Sequence, residues 1–261
     1  MLTPEEQEKL RARFNPDGSL LRRHQLRMLE MLKYIDAVCR KHGIKYWLCS
    51  GTLLGAVRHG GFIPWDDDVD IEMLKEDYKK FVKVMKKEPQ TDYVLQTHET
   101  DPNFYFVYAK LRDLHSSIEE TNNLCYKYNG IFIDIFILEP SSSLKLAKLS
   151  KYLRFRIQRL FSRKNLIADV LFYIYIHCLY PLFAFFSKVG SHGQLRQQHG
   201  SFFLRPRYTD DIFPLQNMNF EGFDFFVPCN PDVYLKKIYG DYMKLPDMCA
   251  IRIHVLKINF E

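Results

Sequence analysis

Residues 50–71 read SGTLLGAVRHGGFIPWDDDVDI, which joins a small-residue turn to a short helical stretch, a Gly/Pro loop and a run of carboxylates. In the acidic run, Asp68 and Asp70 alternate with Val69 and Ile71. Side chains two residues apart on a β-strand share a face, so the alternation predicts two adjacent carboxylates with apolar side chains buried behind them. Adjacent carboxylates repel unless a cation lies between them, and hard oxygen ligands suit Mg²⁺ or Mn²⁺. The stretch therefore predicts a metal site.

The beginning of the same stretch suits phosphate. Gly51 and Thr52 come directly before a short helical pattern, so their backbone N–H groups would lie at a helix N-terminus, where anions bind. Each signal alone has an ordinary explanation, because Asp-x-Asp occurs in solvated loops and Thr is a common N-cap. The combination indicates a metal–phosphate site.

The composition is that of a folded protein. The chain has 261 residues, of which 47% are apolar and 26% charged, enough for one sizeable core with a helical annex. Six cysteines without a Cys-x-x-Cys motif suggest reduced core thiols rather than a zinc module or a disulfide framework. The polar start MLTPEE does not have the pattern of a signal peptide. These features predict a cytoplasmic protein.

The formal net charge of +6 is concentrated in one short segment. Residues 144–165 contain no acidic side chain and the following basic ones: Lys145, Lys148, Lys151, Arg154, Arg156, Arg159, Arg163 and Lys164. The remainder of the chain is therefore slightly acidic. The basic residues surround an apolar helical stripe and are not interleaved with stacking aromatics, so a nucleic-acid-binding module is the weaker interpretation.

Periodicity and turn residues divide the chain into elements. The expected helices are 3–13, 19–42, 52–59, 75–87, a helix capped by Ser143, and 230–240. The expected strands are 44–49, 69–73, 93–97, 104–112, 116–120, 131–138 and a hairpin over 212–227 that turns at Met218-Asn219. Residues 187–201 are expected to be a polar connection or a frayed helix. The order predicts an α+β fold, a mixed sheet flanked by helices, with a core (1–140), a helical insertion (141–200) and a carboxy-terminal hairpin and helix (201–261).

Two later segments add candidate site residues. Asp134 interrupts the apolar run IFIDIFIL over 131–138, where an ionised carboxylate is costly unless it is paired or bound to a metal. The alternative is a strand-end Asp that accepts hydrogen bonds from backbone N–H groups. Lys110 and Arg112 alternate on one predicted strand face, as ordinary surface residues or as phosphate contacts.

The segment 144–186 has three competing interpretations. Its basic amphipathic first half is typical of helices on an anionic membrane surface. The apolar run from Val170 to Phe186 has 17 residues, interrupted only by His177 and Pro181. That is short of the roughly 20 residues a spanning helix needs, and the proline would kink it. Burial against the core, monotopic insertion and a partner-binding face all remain open.

Taken together, these motifs resemble the LicD family, phosphotransferases that decorate glycans with phosphocholine, and more distantly the fukutin-type transferases. The match is nearly unbroken over 51–71, and weaker matches occur at GIFIDIF (130–136) and YGDYMKLP (239–246). The family usually continues with a second proline, a basic residue and a histidine. Here Asp247 replaces that proline, while Arg252 and His254 remain. The resemblance implies a nucleotidyltransferase fold.

The resemblance also implies a reaction: metal-dependent transfer of phosphocholine, or a similar alcohol phosphate, from a CDP-activated donor to a glycan. The acceptor is a hydroxyl of a cell-surface glycan or of its lipid-linked precursor, and the donor is CDP-choline or another CDP-alcohol. Asp68, Asp70 and Asp134 are then the catalytic ligands of Mg²⁺ or Mn²⁺, with Asp134 either a ligand or the general base. The implied contacts to the donor are Ser50, Gly51, Thr52, Arg58, His59, Trp65, Lys110, Arg112, Arg252 and His254.

Two further functions are weighed beside this one. A nucleotidyltransferase that moves a nucleoside monophosphate to a small acceptor would use the same three carboxylates. A non-catalytic adaptor at a membrane surface would have kept the fold alone, and the intact carboxylates argue against it. The expected location is cytoplasmic, and peripheral on the inner face of the cell membrane if 144–186 docks on lipid.

Overall fold

The structure, a computed structural model, describes residues 3–119, 126–161, 166–197, 204–247, 251 and 257–260. The helices are α1 (Pro4–Phe14), α2 (Leu20–His42), α3 (Ser50–His59), α4 (Lys75–Met85), α5 (Leu144–Phe161), α6 (Leu166–Ile174), α7 (Tyr180–Lys188), α8 (Thr209–Ile212) and α9 (Pro231–Tyr239), with a π-helical turn over Tyr175–Leu179. The strands are β1 (Trp47–Leu48), β2 (Asp70–Leu74), β3 (Tyr93–Gln96), β4 (Ala109–Asp113), β5 (Ser116–Glu119), β6 (Phe132–Pro140), β7 (Gln194–Gln197), β8 (Arg207–Tyr208), β9 (Gln216–Phe220), β10 (Phe223–Val227) and β11 (Lys257–Phe260).

The helix ends lie where the sequence signals predict them. The hydroxyl of Thr3 accepts a hydrogen bond from the backbone of Glu6, whose side chain accepts one from the Thr3 backbone, completing a capping box. Ser19 caps α2, and Gly43 ends it in the left-handed conformation at φ 60°. Asn230 caps α9 before a proline in the first turn. These predictions are confirmed. They can be made from short stretches of sequence because capping depends on local backbone geometry.

The main sheet has the strand order β1-β2-β6-β4-β3, with β7 on β6 and β8 on β7. Strands β2 and β6 are parallel, and the other pairs in this sheet are antiparallel. Beside β6 the sheet divides, because β4 pairs with Phe132–Ile135 and β7 pairs with Leu138–Pro140. We call this division, at Phe136 and Ile137, the fork. A mixed sheet flanked by helices confirms the α+β class.

The two faces of this sheet differ in chemistry. One face carries buried aliphatic side chains such as Ile71 and Ile135, which share a core with Leu32 of α2 and Phe81 of α4. The opposite face carries charged side chains on adjacent strands. Because residues alternate along a strand, the aliphatic face anchors the sheet while the polar face is available for chemistry.

A buried polar network ties the carboxy-terminal part of the chain to β2. Glu72 is fully buried and lies 3.0 Å from the guanidinium Nη2 of Arg207, which is itself buried. Its carboxylate also accepts hydrogen bonds from Tyr234 Oη at 2.5 Å, Trp47 Nε1 at 3.2 Å and Gln197 Nε2 at 3.0 Å. A buried carboxylate needs this number of partners, so β1, β7, β8 and α9 all converge on one side chain.

Two predicted strands are wrong in extent, and one strand lies where a connection was predicted. The strand expected over 44–49 is only Trp47–Leu48, and β4 begins at Ala109 rather than at residue 104. The aromatic residues that suggested a longer β4 pack on one another instead, with the rings of Phe104 and Phe106 5.0 Å apart. The polar connection expected over 187–201 contains β7, whose Arg196 and Gln197 are buried with hydrogen-bond partners.

The carboxy-terminal hairpin turns three residues later than expected. Its turn residues are Glu221 and Gly222, with φ values of 53° and 86°, rather than Met218-Asn219. A two-residue hairpin turn of this type needs positive φ at both positions, which Gly allows freely. The turn residue Glu221 is also held from outside the hairpin, because its carboxylate accepts from Arg22 Nη2 at 2.7 Å and from the backbone of Phe62 at 3.1 Å.

The helical insertion presents much of its apolar surface outward. The helix over Asp169–Lys188 has 20 residues, a mean hydropathy of 1.7 and 22% of its most apolar window buried, so by length and composition alone it could cross a membrane. The π-helical turn ends two residues before Pro181, which has no N–H for the carbonyl of His177. Arg154 departs from the predicted basic surface because it is 2% exposed. Cys178 is likewise exposed rather than a core thiol, whereas Cys39 and Cys49 are buried and free.

Candidate functional site

A row of charged side chains crosses the polar face of the main sheet. Lys110 of β4 is the register partner of Asp134 of β6, and Asp134 is the register partner of Asp70 of β2. Register partners on adjacent strands project to the same face, so the three side chains lie next to one another. Lys110 Nζ is 3.0 Å from Asp134 Oδ1. The structure thus brings together two predicted carboxylates and one predicted phosphate contact from three separate strands.

Two more carboxylates approach this row from the loop before β2. Asp66 and Asp68 continue the two-residue spacing of Asp70 towards the N-terminus. Burial, together with the charges of Asp68 and Asp67 and a hydrogen bond with Asp68, raises the pKa of Asp66 well above its usual value. The sequence analysis did not include Asp66. The signal that identifies it is the same alternation, extended by one step.

The carboxylates repel one another strongly. The pKa of Asp70 is well above its ordinary value because of burial first, then the charges of Asp68, Asp134 and Asp66, while the charge of Lys110 opposes the rise. A donor set of this chemistry, all hard oxygens with excess negative charge, fits Mg²⁺ or Mn²⁺. In the described part of the chain, no three His, Cys, Asp or Glu side chains are already arranged to hold a metal ion. The residue types fit the cation, and binding would require the carboxylates to turn towards it.

The N-terminus of α3 lies beside the carboxylates. Its N-cap, Cys49, makes no side-chain capping hydrogen bond, and Ser50 adopts a positive φ of 48°. Thr52 Oγ1 accepts a hydrogen bond of 2.8 Å from the backbone N–H of Asp70. A Cβ atom on Gly51 would be 2.6 Å from Asp66 Oδ2, so only glycine leaves room for that carboxylate. The predicted phosphate-binding turn and the predicted metal ligands are therefore adjacent.

Side chains of α2 hold the acidic loop through hydrogen bonds to the backbone carbonyls of that loop. Gln25 Nε2 donates to the carbonyl oxygens of Asp66 at 2.9 Å and Ile63 at 3.3 Å, while its Oε1 accepts from Asn15 Nδ2 at 2.7 Å. His24 Nε2 lies 2.9 Å from the carbonyl oxygen of Asp67, which assigns the ring proton to Nε2. Both side chains are buried. Neither residue is predicted from the sequence, because a hydrogen bond to a backbone carbonyl does not depend on the side chain of the acceptor residue.

Arg58 and His59 end α3 with bonds that fix the local structure. Arg58 Nε donates to His59 Nε2 at 2.9 Å, and Arg58 Nη1 donates to the carbonyl of Tyr242 at 3.0 Å. His59 Nδ1 is 2.8 Å from Gln7 Oε1. Burial and the nearby charges of Arg58 and Arg11 lower the pKa of His59 to about 3, so the ring is neutral near pH 7.

The remaining residues that were predicted to contact the donor substrate lie in different environments. Trp65 packs edge-on against Phe14, with ring centroids 5.2 Å apart, so its ring helps to hold the acidic loop against α1. Arg112 is fully buried and donates to Gln96 Oε1 at 2.7 Å and to the carbonyl of Gly130 at 2.8 Å, so its guanidinium braces neighbouring segments. Arg252 and His254 lie outside the described residues.

The end of α9 also reaches the site. The pKa of Tyr239 is raised by burial and then by the charge of Asp70, with a smaller effect from Asp66. Tyr242, in the same block of sequence, supplies the carbonyl that Arg58 binds. The carboxy-terminal segment therefore adjoins the carboxylate row, and the described site draws on α2, α3, β2, β4, β6 and α9.

Comparison with known proteins identifies relatives over this region. A family model described as "LicD/FKTN/FKRP, nucleotidyltransferase domain" matches residues 43–167. The lipopolysaccharide cholinephosphotransferase LicD of Haemophilus influenzae is 30% identical over 256 residues, which is 87% of this chain and 92% of that protein. Human ribitol 5-phosphate transferase FKRP is 50% identical over 48 residues, 18% of this chain and 10% of its own. Human ribitol-5-phosphate transferase FKTN is 40% identical over 50 residues, 19% and 11% respectively.

Proposed function

The chain belongs to the LicD family, and we propose that it is a phosphotransferase that moves an alcohol phosphate, most simply phosphocholine, onto a glycan hydroxyl. The relative that this chain matches over most of its length is named a lipopolysaccharide cholinephosphotransferase. The shorter human matches are named ribitol phosphate transferases. Both kinds of name describe the movement of a phosphate-linked alcohol. The observation that carries the proposal is that Asp70 and Asp134 are register partners. They lie beside the N-terminus of α3, whose N-cap side chain makes no capping hydrogen bond.

The proposed donor is CDP-choline or another CDP-alcohol, bound in a nucleotidyltransferase-like arrangement. Support comes from the description of the matching family model, which names a nucleotidyltransferase domain. It also comes from the first turn of α3, where the N–H groups of Gly51 and Thr52 suit a diphosphate. Ser50 and Arg58 are the further side chains that we expect to contact the phosphates. The acceptor is a hydroxyl of a surface glycan or of its lipid-linked precursor.

Asp68, Asp70 and Asp134 would hold Mg²⁺ or Mn²⁺, with Asp66 adjoining them. When bound, a divalent cation supplies charge neutralisation on the phosphoryl oxygens and on the leaving nucleotide. The chain's own residues have two further tasks. The start of α3 holds the donor in line with the acceptor, and Lys110 neutralises Asp134. Phosphoryl transfer depends mainly on such positioning and electrostatics.

The proposed reaction breaks one bond and forms one bond. The acceptor oxygen bonds to the phosphorus that carries the alcohol, and the bond from that phosphorus to the bridging oxygen breaks, releasing CMP. The hydroxyl proton passes to the Asp134 carboxylate if Asp134 acts as the general base, or to solvent if Asp134 acts as a metal ligand. A nucleotidyl transfer is the second candidate because it needs the same carboxylates, and its product would carry the nucleotide instead.

The test is a reaction of the purified protein with Mg²⁺, glycan acceptors and a panel of CDP-choline, CDP-ribitol and CDP-glycerol. We expect release of CMP and an acceptor heavier by one alcohol phosphate, both abolished by EDTA. An acceptor that gains a nucleoside monophosphate would replace the proposal with nucleotidyl transfer. No turnover, with no binding of Mg²⁺ or CDP-alcohols by calorimetry, would favour the non-catalytic adaptor.

We also propose that the enzyme works in the cytoplasm, peripherally on the inner membrane face. Support comes from α5, where Lys145, Lys148, Arg156 and Arg159 are exposed, and from the exposed apolar side chains of α6 and α7. Such a pairing of positive charge with apolar surface favours anionic lipid. The protein should float with anionic vesicles at low salt, and a wild-type protein that stays in the soluble fraction would contradict the proposal.

A further inference from the structure

An apolar cavity of about 580 Å³ lies next to the fork in the main sheet. Its lining comes from α4, the loop before β4, β6 and the helix of the insertion. The lining is mostly apolar and includes Val82, Phe106, Val107, Ile137, Phe172 and Ile176. A volume between roughly 300 and 1,000 Å³ with few polar groups is typical of small-molecule sites. The cavity therefore has the size and chemistry of a site for an apolar ligand.

The fork explains why a cavity forms here. Because β4 leaves β6 after Ile135 and β7 joins at Leu138, no strand among the described residues pairs with that edge of β6 at Phe136 and Ile137. Ile137 lines the cavity, and so does Tyr108, whose ring packs 4.9 Å from that of Phe136.

Tyr108 and Phe136 connect the cavity to the carboxylate row. Tyr108 lines the cavity just before β4 begins, and burial followed by the charge of Asp134 raises its pKa well above the usual value, so its side chain lies near that carboxylate. Phe136, which packs on Tyr108, is two residues after Asp134 on β6, so it shares a face with Asp134 and lies roughly 7 Å along the strand from it. A ligand in the cavity would have one end close to the proposed catalytic groups.

The helix that forms the outer wall of the cavity also exposes apolar side chains on its outer surface. The helix that contributes Phe172 and Ile176 to the cavity exposes the following apolar side chains outside it: Leu166, Ile167, Val170, Ile174, Leu182, Phe185 and Phe186. The polar residues of the lining that are exposed, Lys79, Glu99 and His177, mark the mouth. An apolar interior, a polar mouth and an apolar outer wall together match an amphiphile taken from a lipid surface.

We propose that this cavity binds one aliphatic chain of a lipid. The chain lies against Val107, Ile137 and Ile176, and the polar head lies at the mouth formed by Lys79 and His177. Binding of the chain is independent of the proposed transferase activity. A second step rests on that activity: a chain belonging to the acceptor's own lipid anchor would bring the acceptor's hydroxyl to the Asp134 side of the fork.

The first test measures chain binding without catalysis. We expect the purified full-length protein to bind a fluorescent fatty acid saturably, one per chain, and palmitate to displace it. A palmitate carrying a diazirine near its end should label residues in 97–108 or 172–181. No saturable binding, or labelling spread over the outer face of α6 and α7, would overturn the proposal.

Cavity-filling variants test the location. Val107→Trp and Ile176→Trp each add bulk inside the cavity, and Phe185→Trp is the matched control on the exposed face of α7. We expect at least a tenfold loss of fatty-acid affinity in the first two and none in the control. Unchanged affinity in all three would overturn the proposal, and the photolabelling result stands if a filled variant does not fold.

The source of the chain is decided by two further measurements. If the chain belongs to the acceptor, Ile176→Trp should raise KM at least tenfold for a lipid-linked acceptor and leave kcat/KM for its chain-free counterpart unchanged. If the chain belongs to a bilayer phospholipid, the variant should instead weaken vesicle binding and leave both KM values unchanged. Failure of the transferase assay would leave fatty-acid binding intact, so the two proposals fail separately.

Discussion

Asp70 and Asp134 are register partners on the parallel strands β2 and β6, so two carboxylates from distant segments lie on one face of the sheet. Their neighbours increase the repulsion, because Asp66 and Asp68 also raise the pKa of Asp70. A fold rarely gathers buried like charges without a function for them, since each raises the free energy of the native state. We therefore expect the carboxylates of this cluster to support activity while lowering the stability of the native state.

Asp70→Asn and Asp134→Asn should separate those two effects. Each change removes one candidate ligand, and we expect the rate of transfer to fall by at least about 100-fold. Asp70→Asn also removes a buried like charge, so its thermal midpoint without metal should equal or exceed that of the wild type at pH 8. Calorimetry and CMP release measure the two quantities. A variant that transfers at the wild-type rate would remove these residues from the mechanism.

Metal binding should compete with protons at this site. Because burial and neighbouring carboxylates raise the pKa values of Asp66 and Asp70, the native state holds more protons than the unfolded chain. Without metal, stability should therefore fall as pH rises from about 4, the usual value for Asp, through the raised native values. Mg²⁺ displaces those protons, so the increase of the thermal midpoint on adding Mg²⁺ should grow between pH 5 and pH 8. Equal increments across that range, or the same growth in Asp70→Asn, would contradict this coupling.

The sequence predicts most of the helices and strands, including the two strands that carry Asp70 and Asp134. Capping signals at Thr3, Ser19 and Asn230 are local, and they place helix ends correctly. The alternation that includes Asp70 predicts a strand, and the lone acid in an apolar run, taken with the LicD resemblance, predicts Asp134 near it. The metal and donor assignments themselves stay predictions.

What the sequence does not predict depends on distant partners. Strand β7 is polar, and its Gln197 is buried only because Glu72 accepts its hydrogen bond from β2. In the sequence Gln25 is an ordinary polar helix residue, and its hydrogen bond to the carbonyl of Asp66 exists only in the folded chain. Contacts of this kind are set by the tertiary fold, and no single window of sequence contains both partners.

The hydrogen bonds from Gln25 to the acidic loop should contribute to metal affinity in addition to their contribution to folding. Gln25→Leu leaves the carbonyl oxygens of Ile63 and Asp66 without their donor, at a cost of about 1–3 kcal/mol in the free energy of unfolding. The acidic loop then loses its fixed position, and we expect Mg²⁺ affinity to fall about 10-fold or more. Gln216→Leu, at an exposed position, is the control and should change neither quantity. A folded Gln25→Leu protein that loses stability but keeps wild-type Mg²⁺ affinity would assign these hydrogen bonds to folding only.

The ion pair between Glu72 and Arg207 should be the most sensitive connection between the sheet and the carboxy-terminal segment. Both side chains are buried, so Arg207→Met leaves an unpaired carboxylate in the core, at a cost of about 3–5 kcal/mol in the free energy of unfolding. The double variant Glu72→Gln with Arg207→Met should recover part of that loss, because the buried charge is gone. Lys236→Met, which removes the exposed pair with Asp232, should cost less than about 1 kcal/mol. Urea unfolding measures all four proteins, and a single Arg207→Met no less stable than Lys236→Met would show that the pair does not hold the segment.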